Sequence, residues 1–447
     1  MCNMPEVVMS RSMRIRGGAR INGTLSVPGD KSISHRVAMM ASIAGGVSRI
    51  TNFASSADCH ATLDCLEGLG ALVGRGTQEV LIHGTGLRGF SPPAAPARLN
   101  AGNSGSTIRM LSGILAGQRF KSVIDGDASL RRRPMRRIIE PLAAMGARVS
   151  ARDGNYAPLE IEGGQLRAIT YRSPVASAQV KSCVLLAGLF ADGRTVFTEP
   201  APSRNHTEIM LKEFGARLDV DEPGGSLRIE GGQELRPVEY RVPGDISSAA
   251  FFIAAAAMLK DSQLVLREVS LNPTRAGALD VMRSLGARIV EDDLRIHHGE
   301  PVADIRVASS HLWSETTVLS GEMIPNIIDE IPIIAVLATQ VEGRIEVRDA
   351  GELRVKESDR IQTIVAGIRS LGGQVEEFED GFAIRGPQRL RGGRVETQGD
   401  HRIAMAFAIA GLIADGTTEI ADADSAGVSF PEFYESLRRL AREDCIE

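Results

Sequence analysis

Val27-Pro28-Gly29-Asp30-Lys31-Ser32-Ile33-Ser34-His35-Arg36 is the stretch from which the fold can be read. Pro28 and Gly29 stop a strand, and Asp30, Ser32 or Ser34 can cap a helix by accepting a backbone N–H. Behind that start, Ile33, Val37, Met40, Ala41 and Ala44 share one helical face, and Gly45-Gly46 is expected to end it. Lys31 and Arg36 therefore lie in or beside the first turns, next to free N–H groups and the positive end of the helix dipole. Such a mouth suits an anion; the plain alternative is a capped surface helix carrying two cations. The spacing of Gly29 and Lys31 is not that of a P-loop, so an ATP-type phosphate cradle is rejected.

The device recurs along the chain. Val242-Pro243-Gly244-Asp245 restates the opening before an apolar helix from about Ala249 to Leu259. Asn103-Ser104-Gly105, Ser177-Ala178-Gln179, Asp329-Glu330 and Gly399-Asp400-His401-Arg402 open four more helices. The starts fall roughly 70–80 residues apart, a repeat period. A second phrase keeps the same period and marks the end of another helix: Leu69-Gly70-Ala71, Met145-Gly146-Ala147, Phe214-Gly215-Ala216, Leu285-Gly286-Ala287 and Leu371-Gly372-Gly373. A short strand pattern follows each, and Glu432–Ala441 reads as the sixth such helix without its strand. Six units of two helices and several strands account for the 447 residues.

Composition narrows the class. Apolar and charged fractions of 43 % and 24 % are those of a globular chain long enough for two or three domains. A net charge of −5 gives no global field toward nucleic acid. Five cysteines without a Cys-x-x-Cys pair indicate neither a disulfide framework nor a metal site, and fit a reducing cytoplasm. No signal peptide is expected, and the longest apolar runs are too short to span a bilayer. Residues 1–12 read as a frayed extension, and Met13 to Val27 as strand, turn, strand with turns at Gly17-Gly18 and Asn22-Gly23.

Charged groups collect at the helix starts. Arg109 lies one turn into the Asn103 helix, and Arg131-Arg132-Arg133-Pro134 meets the next helix with Pro134 as its first residue. Arg204 precedes the helix leading to Phe214. In Arg354-Val355-Lys356-Glu357-Ser358-Asp359-Arg360, Lys356 and Arg360 are expected on one helical face, four residues apart. Each alone is an ordinary solvated charge. Together, many cations with three or four acids suit a substrate bearing several phosphate or carboxylate groups, with the acids left for proton transfer.

The motifs Gly-Asp-Lys-Ser-Ile-Ser-His-Arg, Gly-Asn-Ser-Gly-Ser-Thr-Ile-Arg, Arg-Arg-Pro-Met, Ser-Ala-Gln-Val-Lys-Ser, Arg-Val-Lys-Glu-Ser-Asp-Arg and Gly-Asp-His-Arg resemble those of the EPSP synthase family from about Met13 onward. The resemblance implies an α/β fold of two similar domains, each of three βαβαββ repeats in an inside-out, barrel-like arrangement, with helix N-termini facing an interdomain cleft. It places one domain at 29–243, the other at 1–28 plus 244–447, and hinges near 27–31 and 241–245. The implied reaction moves the enolpyruvyl group of phosphoenolpyruvate to the 5-hydroxyl of shikimate 3-phosphate, without metal or cofactor, in a cytoplasmic monomer. Carried over by motif, Lys31, Ser32, Arg36, Ser177, Ala178, Gln179, Arg204, Asp329 and Lys356 would hold shikimate 3-phosphate. Lys31, Asn103, Gly105, Arg109, Arg133, Gln179, Arg360 and Arg402 would hold phosphoenolpyruvate, in a pocket that also takes glyphosate beside Gly105. Asp329, Glu357, Lys31 and His401 would be catalytic.

Ala178, and Val428 in Val428-Ser429-Phe430-Pro431, match the second sequence class of the family. Two rivals are the sister enzyme that enolpyruvylates UDP-N-acetylglucosamine and a non-enzymatic anion- or RNA-binding module on the same scaffold. The sister enzyme uses Lys-Asn where this chain has Lys31-Ser32, and a reactive loop cysteine; none lies between Cys65 and Cys183.

Overall fold

A computed structural model describes residues 11–77, 79–221, 225–441 and 445–447; most of the extension read at 1–12 lies outside them. Helices begin where the recurring phrase falls: α1 (Lys31–Ser42), α2 (Gly105–Ala116), α3 (Ala178–Gly188), α4 (Ile246–Met258), α5 (Ile331–Ala338) and α6 (His401–Ile413). Capping explains the starts. Asp30 Oδ1 accepts from Ile33 N at 2.9 Å, Ser104 Oγ from Thr107 N at 3.1 Å, Asp245 Oδ1 from Ser247 N at 3.0 Å and Asp400 Oδ1 from Arg402 N at 2.9 Å. Ser177 caps α3 in the same way. α5 has no side-chain cap, but Pro332 in its first turn removes an N–H that would need one.

The second helices of the units end on a backbone requirement. Gly70, Gly146, Gly215, Gly286 and Gly372 have φ of +92°, +100°, +85°, +93° and +77°. A side chain is strained in that region, so the repeated Gly is the stop itself.

α4 to α6 are apolar on nearly every face and almost wholly buried. A helix of that kind belongs in an interior. They pack on one another, with the sheets of their half laid outside them. The strands alternate buried and exposed residues, as in Met13–Arg16 and Ala97–Asn100. Each typical sheet takes one strand from the preceding link, parallel to the strand after the first helix, and adds an antiparallel pair; Ala97–Asn100, Lys121–Asp125, Tyr156–Glu162 and Arg148–Arg152 are in that order.

There are two separate cores. One runs from Ile33 to Val242; the other joins Met13–Val27 to residues from Ile246 to Ile446. The chain crosses between them twice, and the crossings are tied together: Asp30 N donates to Pro243 O at 2.8 Å and Asp245 N to Pro28 O at 2.9 Å. Gly29 is required there, because a Cβ would lie 1.8 Å from Asn52 O.

Four expectations change. Asn22-Gly23 makes no turn but opens the strand Asn22–Leu25, which pairs with Gln263–Ser270, while Met13–Arg16 pairs with Thr417–Ile420. Met13–Arg16 thereby completes the sixth unit, where Ile446 bridges Ile15. Gly45-Gly46 does not end α1, which stops at Ser42; it starts the strand Gly45–Thr51. Pro134 lies outside the helix that follows it, which begins at Arg136. Lys356 and Arg360 share no helical face, because Asp359 caps the helix Arg360–Ser370 and leaves Lys356 in the preceding turn.

Candidate active site

The helix mouths of both halves open on one cavity of about 450 Å³. From the first half come Lys31, Ser32, Gly105, Arg109, Arg133, Ser177, Ala178, Gln179 and Arg204; from the second, Asp329, Lys356, Glu357, Arg360, His401 and Arg402. The mouth of α4 brings only Asp245, because Ile246 stands where α1 has Lys31. Two expected residues lie behind the wall. Arg36 is buried and already satisfied, donating to Thr207 Oγ1 at 2.7 Å, Ser32 O at 2.8 Å and Ser182 Oγ at 3.0 Å. Asn103 accepts from Arg133 Nη2 at 2.6 Å and donates to Asp127 at 2.7 Å, so it supports Arg133 rather than facing the cavity.

The first-half wall is a braced set of cations. Arg109 donates to Gln179 Oε1 at 2.7 Å and to Pro134 O at 3.2 Å, and Gln179 Nε2 donates to Ser106 Oγ at 3.1 Å. A Cβ on Gly105 would lie 2.9 Å from Arg109 Nη1 and 3.4 Å from Arg133 Nη1. Lys31 Nζ sits 3.0 Å from Asp58; burial works most strongly against its charge, but Asp58 and Glu357 together raise the ammonium above its usual range.

The second-half wall mixes signs. Arg360, 1 % exposed, donates to Asp400 Oδ2 at 2.8 Å and Glu357 Oε2 at 2.6 Å, and its Nη1 lies 3.4 Å from Asp329 Oδ1. Arg402 donates to the Asp329 carbonyl at 2.9 Å. Ion pairs join the two walls, among them Arg204 with Asp329, Arg133 with Glu357 at 3.3 Å and Arg137 with Glu352 at 3.1 Å.

Charge balance sets the protonation states. Burial alone would raise the Asp329 carboxyl, but Arg402, Arg204, Lys356 and Arg360 hold it well below the usual carboxylate range. Glu357 is likewise held down against burial by Arg360, Arg133 and Lys356. Burial and the Lys31 charge push His401 well below the usual imidazole value, so it is neutral at pH 7. Neither of its ring nitrogens has a hydrogen-bond partner among the described residues. Lys356 falls from its ordinary value through burial.

The structure adds residues that the sequence reading did not single out. Arg275, Asp58, Arg137 and Glu352 all line the cavity. None stands at a recurring helix mouth, so no local pattern separates it from a solvated charge.

Comparison with known proteins agrees with this arrangement. A sequence profile described as EPSP synthase (3-phosphoshikimate 1-carboxyvinyltransferase) matches residues 15–437. The chain is 52 % identical over 429 residues to a 3-phosphoshikimate 1-carboxyvinyltransferase of Solibacter usitatus, covering 96 % of this chain and 99 % of that one. It is 51 % identical over 430 residues to that of Salinibacter ruber, covering 95 % and 98 %. An EPSP synthase structure from Acinetobacter baumannii superposes with a TM-score of 0.86 at 41 % identity, covering 98 % and 99 % of the two chains. With the repeats, the two cores and the cation-lined cleft, these likenesses show that the chain belongs to the EPSP synthase family of transferases.

Proposed function

We propose that this chain transfers the enolpyruvyl group of phosphoenolpyruvate to the 5-hydroxyl of shikimate 3-phosphate, releasing phosphate. The observation that carries the reading is the Asp329 carboxylate, held among cations from both halves. Ser32, Ser177, Ala178, Arg204 and Lys356 face the shikimate 3-phosphate side, with Arg36 supporting Ser32 from behind. Gly105, Arg109, Arg133, Arg360 and Arg402 take phosphoenolpyruvate; Lys31 and Gln179 touch both.

Arginines that hold Asp329 and Glu357 low are the same ones that two anionic substrates would occupy. Binding therefore neutralises those cations and raises both carboxyls toward the range of proton transfer. Asp329 then takes the 5-hydroxyl proton as that oxygen attacks C2 of phosphoenolpyruvate. The C3 methylene gains a proton, forming the tetrahedral intermediate. In the second step the C2–O bond to phosphate breaks and C3 gives a proton back. A neutral His401 has no acidic proton to match that of Lys31, so Lys31 is the donor in the addition and Glu357 the acceptor in the elimination.

The two cores support domains at 29–243 and at 1–28 plus 244–447, with hinges near 27–31 and 241–245. No helix among the described residues is long and apolar enough to cross a membrane. We place the enzyme in the cytoplasm as a monomer, where buried thiols such as Cys59, Cys65 and Cys183 stay reduced. The test is phosphate release by purified protein given phosphoenolpyruvate with shikimate 3-phosphate or with UDP-N-acetylglucosamine. Release with the second acceptor alone would move the chain to the sister reaction; release with neither would leave an anion-binding module.

A further inference from the structure

Arg275 lies in Asn272-Pro273-Thr274-Arg275, just before the helix Gly277–Ser284 and at none of the six recurring helix starts, yet it is 2 % exposed. Its guanidinium sits between the caps that start the two halves. Nη1 is 3.4 Å from Asp30 Oδ2 and Nη2 is 3.3 Å from Asp245 Oδ1. Nη2 also donates to Ser247 Oγ at 2.6 Å, and Nη1 to Ser32 Oγ at 3.1 Å. Arg204 Nη1 reaches the same Ser32 oxygen at 3.4 Å.

A hydroxyl has two acceptor lone pairs and one proton. Both lone pairs of Ser32 face cations, so the hydroxyl is left only as a donor. Among the described residues no acceptor takes its proton, and Ser32 lines the cavity. The group that receives that proton must come with the ligand, and it must be an acceptor. Arg275 suits this task better than lysine would, because its planar fork can hold two caps and two hydroxyls at once.

We propose that Arg275 is a positioning residue that, with Arg204, fixes the Ser32 hydroxyl as a donor to an oxyanion of shikimate 3-phosphate. The inference rests on the reading of the cleft given under Proposed function. A purely structural Arg275 would only neutralise Asp30 and Asp245, and a double-mutant cycle on the full chain separates the two roles. The readouts are the dissociation constant for shikimate 3-phosphate and the thermal midpoint of each variant.

Ser32→Ala is expected to weaken binding about tenfold. Arg275→Lys keeps a cation between the caps but loses the fork. It should weaken binding about fivefold in the native background and less than about twofold beside Ser32→Ala. Arg275→Gln should show the same pattern with a lower thermal midpoint; should it not fold, the lysine variant carries the cycle. Equal losses in both backgrounds, or no loss from Arg275→Lys, would overturn the proposal. No effect of Ser32→Ala alone would remove both the proposal and the assignment of Ser32 to the substrate. Repeating the cycle with shikimate distinguishes the oxyanion: coupling that persists assigns the carboxylate, and coupling that vanishes assigns the phosphate.

Discussion

The two walls of the cleft differ in sign. The first half presents Lys31, Arg109, Arg133, Arg137 and Arg204 against a single acid, Asp58; the second sets Asp245, Asp329, Asp349, Glu352 and Glu357 among its own cations. Arg133–Glu357, Arg137–Glu352 and Arg204–Asp329 each run from a first-half arginine to a second-half acid, while Arg275–Asp30, at the hinge, runs the other way. The first half thus offers an excess of cations to an anion, and the second holds most of the carboxylates. The same division shows at the two mouths that share Pro-Gly-Asp. α1 follows its cap with Lys31-Ser32, both lining the cavity; α4 follows its cap with Ile246-Ser247 and reaches the cavity only through Asp245.

The sharpest way to break this comparison is to remove the proton acceptor from the second wall. Asp329→Asn should lower kcat by about a hundredfold or more, while the dissociation constant for shikimate 3-phosphate changes far less. Near-native turnover in a rapid phosphate-release assay would withdraw the role of Asp329.

The two caps should respond in opposite directions to loss of charge. Burial would raise Asp30, but Arg275 and His206 outweigh it and hold the carboxyl at about 2. Its ionised form therefore adds stability above the unfolded value of 3.8, lost as pH falls through about 2. Asp245 is pushed up to about 6 by burial and by the charge of Asp30. For this acid, stability is fully present below 3.8 and lost as pH rises through about 6. Asparagine still caps a helix. Asp30→Asn should thus cost about 2 kcal/mol at pH 7, and Asp245→Asn should cost nothing or raise stability. Equal losses in urea unfolding would mean that the two mouths are electrostatically alike.

A smaller effect is expected from Gly105→Ala on the first wall. The new methyl meets the guanidinium ends of Arg109 and Arg133, which must shift to admit it. The Michaelis constant for phosphoenolpyruvate should rise about threefold, and the inhibition constant for glyphosate by more, since the longer inhibitor fills more of that space. Equal factors for the two would show that Gly105 does not control the contact. The smallest effect belongs to Arg137→Ala, which removes a cross-cleft pair at a half-exposed Glu352. Kcat should fall by about twofold or less, and a tenfold loss would give Arg137 a direct part in binding.

Most of the scaffold was legible because its signals are local. Asp30, Ser104, Ser177, Asp245 and Asp400 cap the helices they precede, and Gly70, Gly146, Gly215, Gly286 and Gly372, which end the second helices, all have positive φ. What escaped depends on distant partners. Asn22-Gly23 reads as a turn, yet it lies in a strand whose neighbour is some two hundred and forty residues away, Gln263–Ser270. The short helix Ile324–Ile327, inserted before α5, stretches the period between the starts at 246 and 331 and has no counterpart in the repeat. At the site, motif resemblance gathered the residues lining the cavity, while Arg36 turned inward because Thr207 and Ser182 offer it hydroxyls. Arg275 could not be seen, since nothing near it in sequence announces that Asp30 and Asp245 converge on it.

Met13 sits opposite Ile420, and this pairing orders events during synthesis. The span 31–241 finds its core partners within itself, closing when Glu239–Arg241 pairs with Gly45–Thr51. The strands made before it must wait. At roughly 5–20 residues per second, Met13–Arg16 stays without its partner strand for about 20–80 s after it emerges. We infer that the first half folds while the leading strands are still open to chaperones and proteases. A chain ending at Leu259 should give a protease-resistant fragment covering 31–241 with residues 13–25 cut away; protection of both segments would mean that those strands find shelter before their partners exist.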